Sequence, residues 1–391
     1  MQRSIAVLIG CILAVMSISQ LWLDKTRFIS IHCLIRNMII GIGVYFCVTG
    51  KLSWLAFVAI VIGAEIIIDV AHQKGYSLDP YLNKVLNFYR WSDTLWSSNR
   101  MQEYNNYTEG DNNCNANLAI QESQEKKFAW MAAEGLVRPG SRVLEIGCGN
   151  GEFLAYVKAM GARPVGLTPS PDQITLLAKR GLEALPVNIW DVEKHPELHQ
   201  AFDVVVMNGS TEHFLNIQNG MGREKQDIEF AKMFDMVRYC IDPNSDSKRC
   251  VITAIHMNRP LSVYEYMQVY LLERTYGGMY PGKTDTYIRA AQPHFTIVTN
   301  QDRTMDYYIW ARKIWYNVYA GLTDIGAAGR ALVDVPVFAL NDPYYVHKVL
   351  HCVFSTWSWQ FDVPNNPLLA YDQTPPTIHL WQTYKLNSSP Q

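Results

Sequence analysis

The chain has 391 residues, 49% of them apolar and 18% charged, with a formal net charge of −2. That length leaves room for a large catalytic domain and a further segment, and the near-neutral balance excludes the global basic field that gathers nucleic acid. Eight cysteines are scattered with no C-x-x-C pair, which speaks for reduced thiols and against a disulfide framework or a zinc site.

Taken in chain order, the first signal is apolar. Residues 4–23 carry no charge, and about 20 such residues suffice for a helix across the ~30 Å hydrocarbon of a bilayer. The stretch closes on Leu21-Trp22-Leu23 and then Asp24-Lys25, an interfacial finish and not the small-residue exit of a cleaved signal peptide. Residues 52–70 form a second span, with Glu65 and Asp69 crowded at one end. Between them, 28–49 is apolar but contains Arg36, which costs roughly 2.5–3.5 kcal/mol at mid-membrane on insertion scales. Residues 1–75 are therefore expected to be an integral membrane anchor of two or three transmembrane helices. Asp79-Pro80 then marks a helix start, and residues 80–102 interleave aromatics with charges at helical spacing, as in helices that lie on a membrane surface.

The richest motif is Val143-Leu144-Glu145-Ile146-Gly147-Cys148-Gly149-Asn150-Gly151. An apolar β-branched run ends in one carboxylate and then three clustered glycines, as a parallel strand does where its backbone must lie against a ligand. The spacing is G-x-G-x-G, which is not the dinucleotide fingerprint, and no G-K-[ST] follows to hold phosphates. A helix is expected over 154–160, a strand over 164–168, a helix over 171–180, and strands over 186–189, 201–207 and 251–255. Helices over 217–239 and 261–276 complete the pattern. Strands alternating with helices give an α/β, doubly wound parallel sheet. Ligands bind such sheets at the carboxyl ends of the strands, where Glu145, Thr168, Trp190, Asp191, Glu212 and His256 all fall.

Glu145-Ile146-Gly147-Cys148-Gly149-Asn150-Gly151 and the strands behind it resemble the class I S-adenosylmethionine-dependent methyltransferases, with their Rossmann-like fold. The resemblance implies S-adenosyl-L-methionine as cofactor, held by Tyr107, Glu145, Gly147, Cys148, Gly149, Gly151, Thr168, Gln173, Trp190 and Asp191. In that family the glycine loop lets the backbone touch the methionine moiety. Glu145 would orient its ammonium, Trp190 would cover the adenine, and Asp191 would accept from the adenine amino group.

A narrower resemblance is to the cyclopropane-fatty-acid synthases and mycolic acid cyclopropane synthases. It rests on Ser123-Gln124-Glu125-Lys126-Lys127, Gly166-Leu167-Thr168-Pro169-Ser170-Pro171-Asp172-Gln173, Thr211-Glu212-His213-Phe214, His256, Gly278-Met279-Tyr280-Pro281-Gly282, Asp306-Tyr307-Tyr308 and His379-Leu380-Trp381-Gln382. By that resemblance Glu212, His213, His256 and Tyr308 would be catalytic, with Tyr307 competing for the tyrosine role. Those enzymes hold a bicarbonate ion between a cysteine, a glutamate, a histidine and a tyrosine. Here Tyr107-Thr108-Glu109-Gly110 places Glu109 where the family has its cysteine, and a carboxylate there is hostile to a bound anion. Glu109 or Glu212 would then be the base itself, or ring closure would not be the outcome.

The expected organisation is thus an anchor (1–75), an amphipathic linker with N-terminal helices over the cofactor site (76–125), and a methyltransferase domain (126–391) facing the cytoplasm. The expected substrate is the double bond of a membrane lipid's acyl or sphingoid chain. Two other readings stand beside it: an N-methyltransferase of the same fold acting on an amine, and a catalytically silent membrane scaffold.

Overall fold

The computed structural model describes residues 39–61, 63, 108–113, 115–215, 223–259, 278, 280–311, 313 and 377–387. The expected span over 4–23, the surface helices over 80–102, the helix over 261–276 and Tyr107 lie outside these residues. The anchor is represented by helical stretches over 39–48 and 54–61, separated by a turn in which Gly50 has φ 72°. Among the described residues no helix is long and apolar enough to cross a membrane. These two stretches nonetheless expose large apolar side chains: Leu55 is 82% exposed, with Ile42, Trp54, Val58 and Ile60 also exposed.

The rest is one seven-stranded sheet. In chain order the elements are α1 (Ile120–Glu134), β1 (Arg142–Ile146), α2 (Glu152–Ala159), β2 (Arg163–Leu167), α3 (Pro171–Lys179), β3 (Ala184–Leu185) and β4 (Val204–Asn208). They continue with α4 (Arg223–Cys240), β5 (Arg249–Met257), α5 (Thr286–Ala291), β6 (Phe295–Asp302) and β7 (Thr377–Leu386). The strand order is β3-β2-β1-β4-β5-β7-β6. The first five strands are parallel, whereas β7 runs antiparallel to both of its neighbours. The sheet is therefore mixed, which corrects the expectation of a wholly parallel one.

Alternation decides which residues face which layer. Val143, Val204, Val206 and Val251 pack with Phe128 and Met131 of α1 and Phe153 and Val157 of α2. Leu144, Ile146, Val205 and Met207 turn the other way, onto Phe230, Phe234 and Val237 of α4. Strands covered on both faces read as unbroken apolar runs, and each such buried side chain contributes roughly 1.5–3 kcal/mol. Because β1 lies between β2 and β4, the connections leave it in opposite directions, and the crevice of an open α/β sheet opens at that switch point.

Two further expectations move. The third strand is Ala184–Leu185, ahead of Pro186, and the expected 186–189 segment leads instead into a 3₁₀ turn over Ile189–Lys194; proline cannot donate to a ladder. The boundary expected at residue 125 falls inside α1.

Candidate active site

Three glycines with positive φ carry the chain out of β1: Gly147 (74°), Gly149 (52°) and Gly151 (78°). The Gly147 and Cys148 amides both donate to the Leu167 carbonyl of β2, at 2.8 and 3.1 Å. A Cβ on Gly147 would overlap the side chain of Ser210, and one on Gly151 would overlap Leu177, while Gly149 faces open space. Ser210, just past β4, fixes the bend by donating to the Ile146 carbonyl at 2.7 Å. The loop is thus pressed against the protein on one side and open on the other, as a backbone cradle must be. Glu145, the last carboxylate before it, is buried, and its Oε2 has no hydrogen-bonding partner among the described residues. Burial pushes its carboxyl well above the usual range, against the opposing charge of Lys127. Cys148 is also buried, and burial raises its thiol.

The neighbouring strand ends supply the rest of this side. Thr168 donates to Gln173 Oε1 at 2.5 Å, and both are buried. Gln173 sits in the first turn of α3, where Ser170 caps the helix and Pro171 opens it, a favoured N-terminal combination. Trp190 is held through its amide by Asn188 at 3.2 Å and meets Phe214 edge-on. Asp191 is half-exposed and paired with Lys194 at 2.5 Å. These residues fit S-adenosylmethionine: an orphaned buried carboxylate for its ammonium, an open glycine bend for its methionine moiety, and an aromatic side chain near the strand ends for its base.

On the other side of the crevice, β4 pairs with β5 only as far as Asn208 opposite Thr253. Beyond that point the Ile255 amide is free of β4, and Glu212 Oε1 accepts from it at 2.8 Å. Glu212 and His213 occupy a buried 3₁₀ turn. Burial pushes the Glu212 carboxyl up, and the charge of Glu109 adds to that, while the Ile255 amide and His379 oppose it. His256 is fully buried. Its Nδ1 donates to the Lys283 carbonyl at 3.1 Å, which leaves Nε2 as an acceptor with no partner among the described residues. Burial lowers this imidazole to about 4, so it is neutral. The segment beyond Gly278 thus has a defined job: Pro281 and Lys283 fasten onto the end of β5, and Lys283 fixes the His256 tautomer.

Glu109 is placed differently from the base expected of it. Its Oε1 receives Lys127 Nζ at 2.9 Å and Trp381 Nε1 at 2.5 Å, with His379 Nδ1 at 3.0 Å. Burial alone would raise this carboxyl, but His379 and Lys127 outweigh it and hold it at about 2. So acidic a group is a poor proton acceptor. Burial pulls Lys127 down against the attraction of Glu109, Glu212 and Glu145. The two candidate tyrosines sit in different surroundings. Tyr307 stacks on His379 and lies in the field of Glu109 and Glu212, whereas Tyr308 neighbours Thr377, Asp302 and Arg259. Bicarbonate does not fit this arrangement: Lys127 is already matched by Glu109, and a second anion would face Glu109 and Glu212 together.

Lys127, His379 and Trp381 are the partners that residue spacing does not reveal, although the segments carrying them are recognisable. Separately, a cleft lined by Glu193, His199, Lys232 and Asp235 contains none of the expected site residues.

Three comparisons with known proteins bear on this geometry. The family described as Mycolic acid cyclopropane synthetase matches residues 77–327, well over half of the chain. A probable (S)-tetrahydroprotoberberine N-methyltransferase of Papaver bracteatum is 30% identical over 105 residues, which are 25% of this chain and 29% of that protein. A probable fatty acid methyltransferase of Mycobacterium tuberculosis is 29% identical over 106 residues, 25% of this chain and 24% of that one. The chain therefore aligns with only about a quarter of the length of these curated relatives. In fold it is similar to a mycolic acid cyclopropane synthase solved with S-adenosylhomocysteine and CTAB. That match has a TM-score of 0.52 and 16% identity, covering 79% of this chain and 99% of the other.

Proposed function

Since this chain belongs to the mycolic acid cyclopropane synthetase family of S-adenosylmethionine-dependent methyltransferases, we propose that it methylates the double bond of a lipid acyl or sphingoid chain. The observation that carries this reading is the pairing of Glu212 with a neutral His256 at the ends of β4 and β5. Both are buried, Glu212 held by the Ile255 amide and His256 by the Lys283 carbonyl. When bound, S-adenosylmethionine supplies an electrophilic methyl group on a sulfonium. An alkene is a weak nucleophile, so a dry, aligned pocket must do most of the work. The alkene π electrons would form the new bond to that methyl carbon as its carbon–sulfur bond breaks. Glu212 then removes a proton from the cationic chain, and the electrons of that C–H bond close the ring or form a new double bond. The raised Glu212 carboxyl is the better base of the pair, because His256 sits near 4.

A membrane anchor in residues 1–75 belongs to the same proposal. The charge-free run over 4–23 and the exposed Trp54, Leu55, Val58 and Ile60 support it, and tethering would raise the local concentration of a bilayer substrate. Amine methylation is the second reading, favoured by the likeness to an N-methyltransferase. Incubating membrane lipid extracts with methyl-labelled cofactor and the full chain separates them. Label in the hydrocarbon chain is the expected result, and label confined to an amine headgroup would overturn it.

A further inference from the structure

We infer that Glu109 is a built-in anion: its fixed carboxylate stabilises the positive charge formed on the substrate, and the enzyme needs no bicarbonate. This deepens the proposed alkene methylation and rests on it.

Two donors from distant elements, Lys127 Nζ and Trp381 Nε1, converge on one oxygen of Glu109, and His379 Nδ1 lies 3.0 Å from the same oxygen. Lys127 comes from α1, and His379 and Trp381 come from β7. These side chains are themselves immobilised. Trp381 packs on Trp130 with ring centroids 4.7 Å apart and lies under the Arg303 guanidinium at 4.6 Å, while Tyr307 stacks on His379 at 5.1 Å. The loop carrying Glu109 is strapped down as well. Arg303 reaches both carboxylate oxygens of Asp111 at 3.2 Å, and the Asn112 amide donates to Asp306 at 2.9 Å. All this fixes Glu109 Oε1, yet Oε2 is buried and has no partner among the described residues. A purely structural ion pair gains nothing from an unsatisfied carboxylate oxygen, since leaving one buried is costly. An oxygen held ready for positive charge that appears only during reaction is what electrostatic preorganisation requires.

The neighbouring charges complete the argument. Glu212 lies in the field of Lys127, His379, Glu109, Tyr287 and Tyr307. With Lys127 matched by Glu109, Glu212 is the carboxylate left to titrate. Two carboxylates whose surroundings push them apart divide the labour, one staying ionised and one exchanging the proton. Lys127 is accordingly a positioning residue: it acts by holding Glu109 in place.

The test uses the full chain, trideuteromethyl cofactor and unsaturated phospholipid vesicles, in carbonate-free buffer and with added bicarbonate. It compares wild type with Glu109→Gln and, in case an unpaired Lys127 prevents folding, Glu109→Gln/Lys127→Met. Wild-type turnover is expected to be the same in both buffers. The variants should bind S-adenosylhomocysteine within about twofold of wild type by calorimetry and lose at least about 100-fold in kcat. The acid limb of the remaining Glu109→Gln profile should move to lower pH, because the charge that raises Glu212 is gone. Wild-type chain methylation that stops without bicarbonate would overturn the inference alone. So would a double variant that turns over normally. Label passing to an amine would overturn the inference and the alkene reading together.

Discussion

The two walls of the crevice are built on different principles. The cofactor wall is local: the glycine bend is held by the adjoining strand, and Thr168 by Gln173 five residues on. The substrate wall is assembled from afar, since Glu109 meets Trp381 across 272 positions of sequence and Lys127 across 18. Backbone conformation governs the first wall, and buried charge the second. Their sensitivities should differ accordingly.

The largest effect belongs to the charged wall. Lys127→Met strands Glu109 without its ammonium, and removing one partner of a buried pair costs about 3–5 kcal/mol. Urea unfolding should show a loss of that size, recovered in large part by adding Glu109→Gln. Next comes pH. Burial holds His256 near 4 in the folded chain against 6.5 for the free imidazole, so the unfolded chain binds the proton first. Stability contributed by neutral His256 is complete above about 6.5 and drains away as pH falls towards 4. Its full size is roughly 3 kcal/mol, and His256→Asn should flatten that slope in thermal unfolding across this window.

On the cofactor wall, Gly147→Ala forces a side chain onto a φ of 74° and into Ser210. About 1–3 kcal/mol of strain is expected, with S-adenosylhomocysteine affinity falling at least tenfold by calorimetry. Smallest is Thr168→Val, which removes one hydrogen bond to Gln173 and should cost about 1 kcal/mol, or roughly fivefold in cofactor affinity. Should Thr168→Val hurt more than Lys127→Met, the contrast between the walls fails.

That same contrast explains what the sequence revealed. Glu145, the glycine bend and Gln173 were legible because strand, loop and helix are consecutive. The β3 position slipped because apolar content continued past Pro186, although pairing could not. Strand β6 was missed because, at the edge of the sheet, it alternates exposed with half-buried residues after Phe295 and has no unbroken apolar run. Lys127 sits in the run Glu125-Lys126-Lys127, which looks like any solvated helix face. Only packing shows that Lys126 is half-exposed while Lys127 is buried against Glu109. Adjacent Tyr307 and Tyr308 could not be told apart without knowing which one stacks on His379.

The most direct trial of a sulfonium methyl delivered to an alkene beside Glu212 is a mass spectrum of unsaturated lipid after turnover with trideuteromethyl donor. The lipid should gain one carbon within its hydrocarbon chain, retaining two deuteriums if a ring closes and three if a branch forms. A chain that binds the donor yet leaves every double bond unlabelled would contradict the account.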